Sequence, residues 1–143
     1  MKYLILIILL LNISFANDFQ RDSTRNIVID KTANLMWMDD FANVKVRKNH
    51  EDATKYCDTL EFAGYSNWRL PTIEEYEMIV DKSNEKSYIN KKFKFNLPAG
   101  YWASKAYWRT LWFYADYMFF VSGTPYYDSR HKEKFFRCIR DIK

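Results

Sequence analysis

An α+β domain, with strands and helices kept in separate stretches, is predicted by three observations. Two β-forming runs near the start are joined by a short polar turn, two helix patterns follow back to back, and the last third returns to aromatic-rich β-forming runs. Aromatic residues make up 19% of the 143-residue chain. That content is too high for a disordered segment and suits a β-rich core or a surface that stacks on ligands.

Residues 1–16 read as an export signal rather than as part of the fold. Lys2 supplies a positive start, residues 3–13 form an apolar run broken only by Asn12, and Ser14-Phe15-Ala16 places small residues at −3 and −1 of a cleavage site before Asn17. The run is shorter than the roughly 20 residues of a spanning helix. No cysteine precedes Cys57, so lipid attachment at the cleavage point is excluded. The expected mature unit is residues 17–143, one exported domain without a membrane span, in the periplasm, on the cell surface or secreted. Loss of the leader and its single lysine takes the formal charge from +4 to +3, mildly basic. Nucleic acid is not an expected partner for an exported chain.

The first strands are "NIVID" (26–30) and "LMWMD" (35–39), a hairpin across "KTAN". Asn34 suits a left-handed turn position. Trp37 is assigned to the core, and Asp39-Asp40 to the strand's end. The first helix is expected from Asn49, whose side chain can cap it, with Asp52 in the first turn where the helix dipole favours an acid. Ala53, Tyr56, Cys57 and Leu60 form its inward stripe, and Gly64 is the expected stop.

Pro71 cannot extend a preceding helix and biases Leu70 toward extended geometry. "NWRL" (67–70) is therefore a short extended segment feeding a second helix, where Thr72 and Glu75 form a capping box and Ile73, Tyr76, Ile79 and Val80 face inward. Glu74, Glu75 and Glu77 are explained by the helix dipole without a catalytic role. Arg69, between Trp68 and Leu70, is expected to pack on an aromatic face and find a carboxylate or carbonyls, as a structural lock.

Residues 81–99 are polar and lysine-rich, with "INKKFKF" (89–95) the one ordered-looking piece; a connection this long is often where recognition lives. Beyond it come "YWAS" (101–104), "TLWFYADYMFFVSG" (110–123), read as one bulged strand or two strands meeting near Asp116, and "EKFFRCIRDI" (133–142). In the last, alternation puts Phe136 and Cys138 inward and Arg137 and Ile139 on the other side. Gly64, Gly100 and Gly123 are each expected to mark a turn.

Cys57 and Cys138 are the only cysteines, 81 positions apart, and in an exported chain they are most economically a disulfide. His50 and His131 each precede a cysteine by seven residues, which raises a zinc site. Seven helical residues span about 10.5 Å, too far for His50 and Cys57 to share an ion. An odd spacing puts His131 and Cys138 on opposite faces of a strand. No metal and no cofactor is expected, and the acidic cluster of a calcium site is missing too.

"VIDKTANLMW" (28–37), "ATKYCDTLEFAGYSNWRLPTIEEYEMI" (53–79), "YWAS" and "FRCIR" (136–140), in this order, resemble the Lcl C-terminal domain family over nearly all of the mature chain. Ala33-Asn34-Leu35 departs from the family's usual Thr-Gly-Leu, and Ala103 stands where a serine is common. No Gly-X-Y tract is present, so no collagen stalk enforces a trimer. The resemblance implies a compact C-type-lectin-like domain, related to formylglycine-generating enzymes, with two helices flanking a small twisted antiparallel sheet. It implies paired cysteines at Cys57 and Cys138, and scaffold roles for Trp37, Trp68, Arg69, Leu70, Pro71, Tyr101, Trp102, Arg137 and Arg140. The family's namesake, a bacterial collagen-like adhesin, binds sulfated polysaccharides.

Three readings of function stay open on sequence alone. The first is an adhesin-like exported module for sulfated or acidic polysaccharides, with candidate contacts at Lys91, Lys92 and Lys94 among Phe93 and Phe95, and at Arg130, Lys132 and Lys134 beside Tyr126 and Tyr127. The second is a subunit of an envelope or appendage assembly, with Tyr107, Trp108 and Trp112 as the interface. The third is a cysteine-dependent enzyme of the formylglycine-generating kind. It is disfavoured because both cysteines are expected in the disulfide and no catalytic triad or phosphate-cradling loop is visible.

Overall fold

The computed structural model describes residues 16–107 and 113–143. The leader through Phe15, Trp108 and Trp112 lie outside the described residues. Among the described residues, two four-stranded sheets and three helices make an α+β domain. The first sheet orders β1 (Phe19–Asp22), β2 (Ile27–Asp30), β3 (Leu35–Met38) and β8 (Ile139–Asp141), all antiparallel. The second orders β6 (Thr124–Ser129), β5 (Tyr114–Phe119), β4 (Gly100–Ala106) and β7 (Phe135–Phe136), with β4 and β7 parallel. The single antiparallel sheet expected is therefore two sheets, one of them mixed.

The β2–β3 hairpin forms as expected, with Asn34 at φ 53°. β3 is buried along its whole length, so its alternation divides the interior instead of separating core from solvent. Leu35 and Trp37 enter one apolar cluster, Met36 and Met38 the other. β4 repeats the division, with Tyr101 and Ala103 on the first side and Trp102 on the second.

Helix α2 (His50–Asp58) starts at the expected cap, the Asn49 side chain accepting from the Asp52 amide. It ends earlier than expected. Gly64, at φ 80°, sits beside Ala63 in a later turn closed by bonds between Phe62 and Tyr65. Helix α3 (Ile73–Ile79) has the full capping box of Thr72 and Glu75. A short helix that sequence reading missed, α1 (Ala42–Lys45), follows Asp40, whose carboxylate accepts from the Ala42 amide at 3.2 Å. Gly100 marks a close approach and not a turn: a Cβ there would lie 2.9 Å from the Tyr117 ring. The described part of the middle run, 113–123, holds one strand, β5, and its partner β6 is one that sequence reading missed.

The "NWRLP" segment joins the two sheets. Arg69 and Ile139 exchange amide–carbonyl bonds of 2.8 Å, which attaches the segment to β8, and the Pro71 carbonyl accepts from Ser104 of β4 at 2.7 Å. Trp68 and Leu70 are buried in the second cluster, and the Trp68 indole donates to the Tyr65 carbonyl. The Cys57–Cys138 disulfide forms, with Cα atoms 5.5 Å apart, tying α2 to the crossing from β7 to β8. The final segment is thus two short strands in different sheets. Its alternation holds, with Phe136 and Cys138 in one cluster and Ile139 in the other, but both sides are interior and Arg137 is completely buried.

Candidate functional site

Asp39 is where the local reading of a plain strand end fails. It is buried just past β3, pairs with Arg137 at 2.8 Å and with Arg21, and accepts from the amides of Lys94 and Phe95 at 2.8 and 3.1 Å. Arg137 in turn donates to the carbonyls of Met38 (2.8 Å) and Phe95 (2.7 Å) and to Asn96 Oδ1 (2.8 Å). Its guanidinium centre lies 5.1 Å from the Phe93 ring centroid and 5.8 Å from that of Tyr101. Burial pulls the Arg137 pKa down from its ordinary value, but arginine stays cationic in proteins. An ion pair this deep is tolerable only with further hydrogen bonds to both partners; Asp39 and both terminal nitrogens of Arg137 have them, while Arg137 Nε has none among the described residues.

The consequence lies at the surface. Phe93 inserts between Phe19 and Trp37, and the backbone at 94–95 is pinned on Asp39, so the flanking Lys91, Lys92 and Lys94 point to solvent. Lys82 and Lys86 of the same connection are also exposed. Among the described residues, none of these five ammonium groups is in an ion pair. We call this segment the lysine lobe. Phe93 is a core residue here and not a stacking platform.

The second expected cluster is arranged differently. Lys132 and Lys134 both bind Asp128, at 2.9 and 2.8 Å. Burial pushes the Asp128 carboxyl up, but hydrogen bonds from Lys134 and Lys132 outweigh it and hold its pKa at about 2. Lys134 also lies 4.1 Å from the Tyr117 ring centroid, and Arg130 is 3.7 Å from Glu51. Tyr126 and Tyr127, by contrast, are exposed on β6 and line a groove of about 390 Å³ between the first turn of α3 and the ends of β4 and β5. Glu74, Ser104, Lys105, Tyr107 and Asp116 complete its polar lining, and Tyr107 donates a short hydrogen bond to Asp116. That bond, ahead of burial, pushes the Tyr107 phenol up to about 12.

The two expected contact segments do not share a depression in either place. The groove contains none of residues 91–95, and the hollow beside Lys86 and Lys91 contains none of residues 126–134. Sequence reading missed Asp39, Arg21 and Asp116, since nothing within a few residues of each signals a partner tens of positions away.

The remaining scaffold residues make specific contacts. Arg69 grips Glu75 through two bonds of 2.8 and 2.9 Å and reaches Asp141 at 3.2 Å, a carboxylate lock with no aromatic face against it among the described residues. It is Arg140 that sits over a ring, 4.7 Å from the centroid of Tyr65, while donating to the Ser66 carbonyl. The Tyr101 hydroxyl donates to the Asn43 carbonyl and the Trp102 indole to that of Lys48. Both cysteine sulfurs are in the disulfide, so neither is a free thiol. Among the described residues, no helix is long and apolar enough to cross a membrane.

The family model of the Lcl C-terminal domain matches residues 26–140. That stretch holds the hairpin, the disulfide, "NWRLP", the lysine lobe and Arg137. No curated protein and no solved structure matches the chain.

Proposed function

The chain belongs to the Lcl C-terminal domain family, and from that footing we propose that it is an exported, non-catalytic binding module whose lysine lobe holds sulfated or acidic polysaccharides. The observation that carries this reading is the combination of five exposed lysines, none in an ion pair among the described residues, with a backbone pinned from inside at Lys94 and Phe95 by the Asp39–Arg137 pair. Fixing the loop in advance lowers the ordering cost of binding, and clustered like charge raises the local concentration of an anionic polymer. Lys132 and Lys134 contribute less, because both are engaged by the Asp128 carboxylate, which offsets half of their combined charge. The disulfide fits an oxidising compartment, as export by the leader at 1–16 would provide. A two-sheet domain with a long irregular connection also accords with the C-type-lectin-like type that the family implies.

The test is chromatography on immobilised sulfated polysaccharide. A variant with Lys91, Lys92 and Lys94 changed to Gln should elute at clearly lower salt than a charge-matched variant with Lys31, Lys55 and Lys143 changed instead. Equal elution of the two would assign binding to net charge and reject the lobe.

A further inference from the structure

The groove under Tyr127 has a chemistry that the lysine lobe lacks. Asp116 lies directly opposite Tyr127 across the β5–β6 ladder, so the two side chains share a face. Asp116 is only 9% exposed, accepts from the Tyr107 hydroxyl and, among the described residues, forms no ion pair with a lysine or arginine. A carboxylate so buried has acceptor capacity to spare and is stabilised by any further donor brought to it.

Tyr127 keeps 66% of its surface exposed, while the Tyr126 ring stacks on Tyr117 on the opposite face of the sheet. The Tyr127 ring is nevertheless held, because Tyr107 and Tyr114 meet it edge-on at 6.0 and 5.6 Å. An exposed aromatic ring of fixed orientation is a preorganised platform with little rotamer entropy left to lose.

Charge decides among ligands. Glu74, Asp116 and Lys105 all line the groove, so a sulfated chain meets two carboxylates and a polycation meets an ammonium. Hydroxyl groups suit both, because each can donate to a carboxylate and accept from an ammonium. An apolar face that stacks on tyrosine, rimmed by hydroxyls, describes a sugar ring. The volume of 390 Å³ also falls within the roughly 300–1,000 Å³ of small-ligand clefts.

The geometry points to this groove as a binding site for an uncharged saccharide, one sugar face on Tyr127 and its hydroxyls donating to Asp116 and accepting from Lys105. The raised Tyr107 pKa keeps that phenol a donor to Asp116 throughout the physiological range. The site is separate from the lysine lobe and does not depend on it.

The experiment is a printed array of neutral gluco-, manno-, galacto- and N-acetylated hexosamine oligosaccharides, with sulfated oligosaccharides as a second arm. It is read at about 0.15 M and about 0.5 M salt, where screening differs strongly. The native protein should hold at least one neutral class equally at both salt levels. Tyr127→Ala should weaken that signal at least about tenfold, the scale of an aromatic anchor, with the same melting temperature and an unchanged sulfated arm. The lysine-lobe variant should lose the sulfated arm and keep the neutral one. No retention of any neutral oligosaccharide, or equal retention by Tyr127→Ala, overturns the site. Loss of the sulfated arm alone bears on the lobe and leaves the groove standing.

Discussion

Arg137 makes its bonds to Asp39, Met38, Phe95 and Asn96 with none of its side chain exposed, whereas Arg69 grips Glu75 and Asp141 with 33% of its side chain in solvent. Both guanidiniums tie distant parts of the chain together, and both belong to motifs that sequence alone singles out. Depth separates them. Around Arg69, water screens the charges and replaces any bond that is lost. Around Arg137, each bond is the only available compensation for an ion taken out of water. Arg69 is therefore a clasp between the start of α3 and the end of β8, while Arg137 is a node on which the lysine lobe depends.

The sharpest way to break this contrast is to remove each guanidinium in turn. Arg137→Met should cost about 3–5 kcal/mol in denaturant unfolding, the range for stripping one partner from a buried pair. Amide exchange at Lys94 and Phe95 should speed up alongside. A loss no larger than that of Arg69→Met would show that Arg21 alone can satisfy Asp39.

Next in size is the disulfide, whose Cys138 is the immediate neighbour of Arg137. Cys57→Ser with Cys138→Ser should lose about 2–4 kcal/mol, read from melting with and without reductant. If amide exchange at Lys94 and Phe95 is unchanged in that variant under native conditions, the node stands without its covalent neighbour. Two titratable thiols in the native protein would contradict the scaffold role of these cysteines. Arg69→Met should cost only about 1 kcal/mol, since partly exposed pairs contribute little and the Thr72–Glu75 capping box survives it.

The smallest effect is one of pH. His50 is buried, its Nε2 2.8 Å from the Ala103 carbonyl and its Nδ1 without a partner among the described residues. Burial, aided by Arg130 and opposed by the Ala103 bond, holds its pKa below the ordinary 6.5. With the folded-state value depressed, its contribution is fully present above pH 6.5 and is lost as pH falls through the lower folded value. His50→Gln should flatten the stability profile on the acid side of pH 6.5, measured by urea midpoints from pH 7 to pH 5. An unchanged slope would assign that acid loss to other groups.

Much of the fold was legible because its signals are local. Asn34 in its turn, Asn49 and Thr72 at their caps and the stripe from Ala53 to Cys57 each depend on residues a turn or less apart. Gly64 as a helix stop misled because a later turn also demands positive φ. β6 escaped notice because Pro125, Tyr126, Tyr127 and Asp128 alternate neither in polarity nor in burial: an edge strand exposed along much of its length writes no two-residue period. Of the candidate contacts, Lys91, Lys92 and Lys94 could be found from charge in a long connection, and Tyr126 and Tyr127 from aromatic content. Asp116, which gives the tyrosine groove its acceptor, had no local mark.

By itself the sequence determined the hairpin, the two capped helices, the extended "NWRLP" step and the pairing of Cys57 with Cys138. Each of these rests on backbone geometry within a few residues or on a pair with no competitor. Tertiary structure alone decided that the closing segment divides between two sheets, that Arg137 and Asp39 belong to the interior, and that the lysines and tyrosines stand at separate places. Whether a charge is buried depends on what the rest of the chain brings to it, and that energy is summed over contacts a local pattern does not contain.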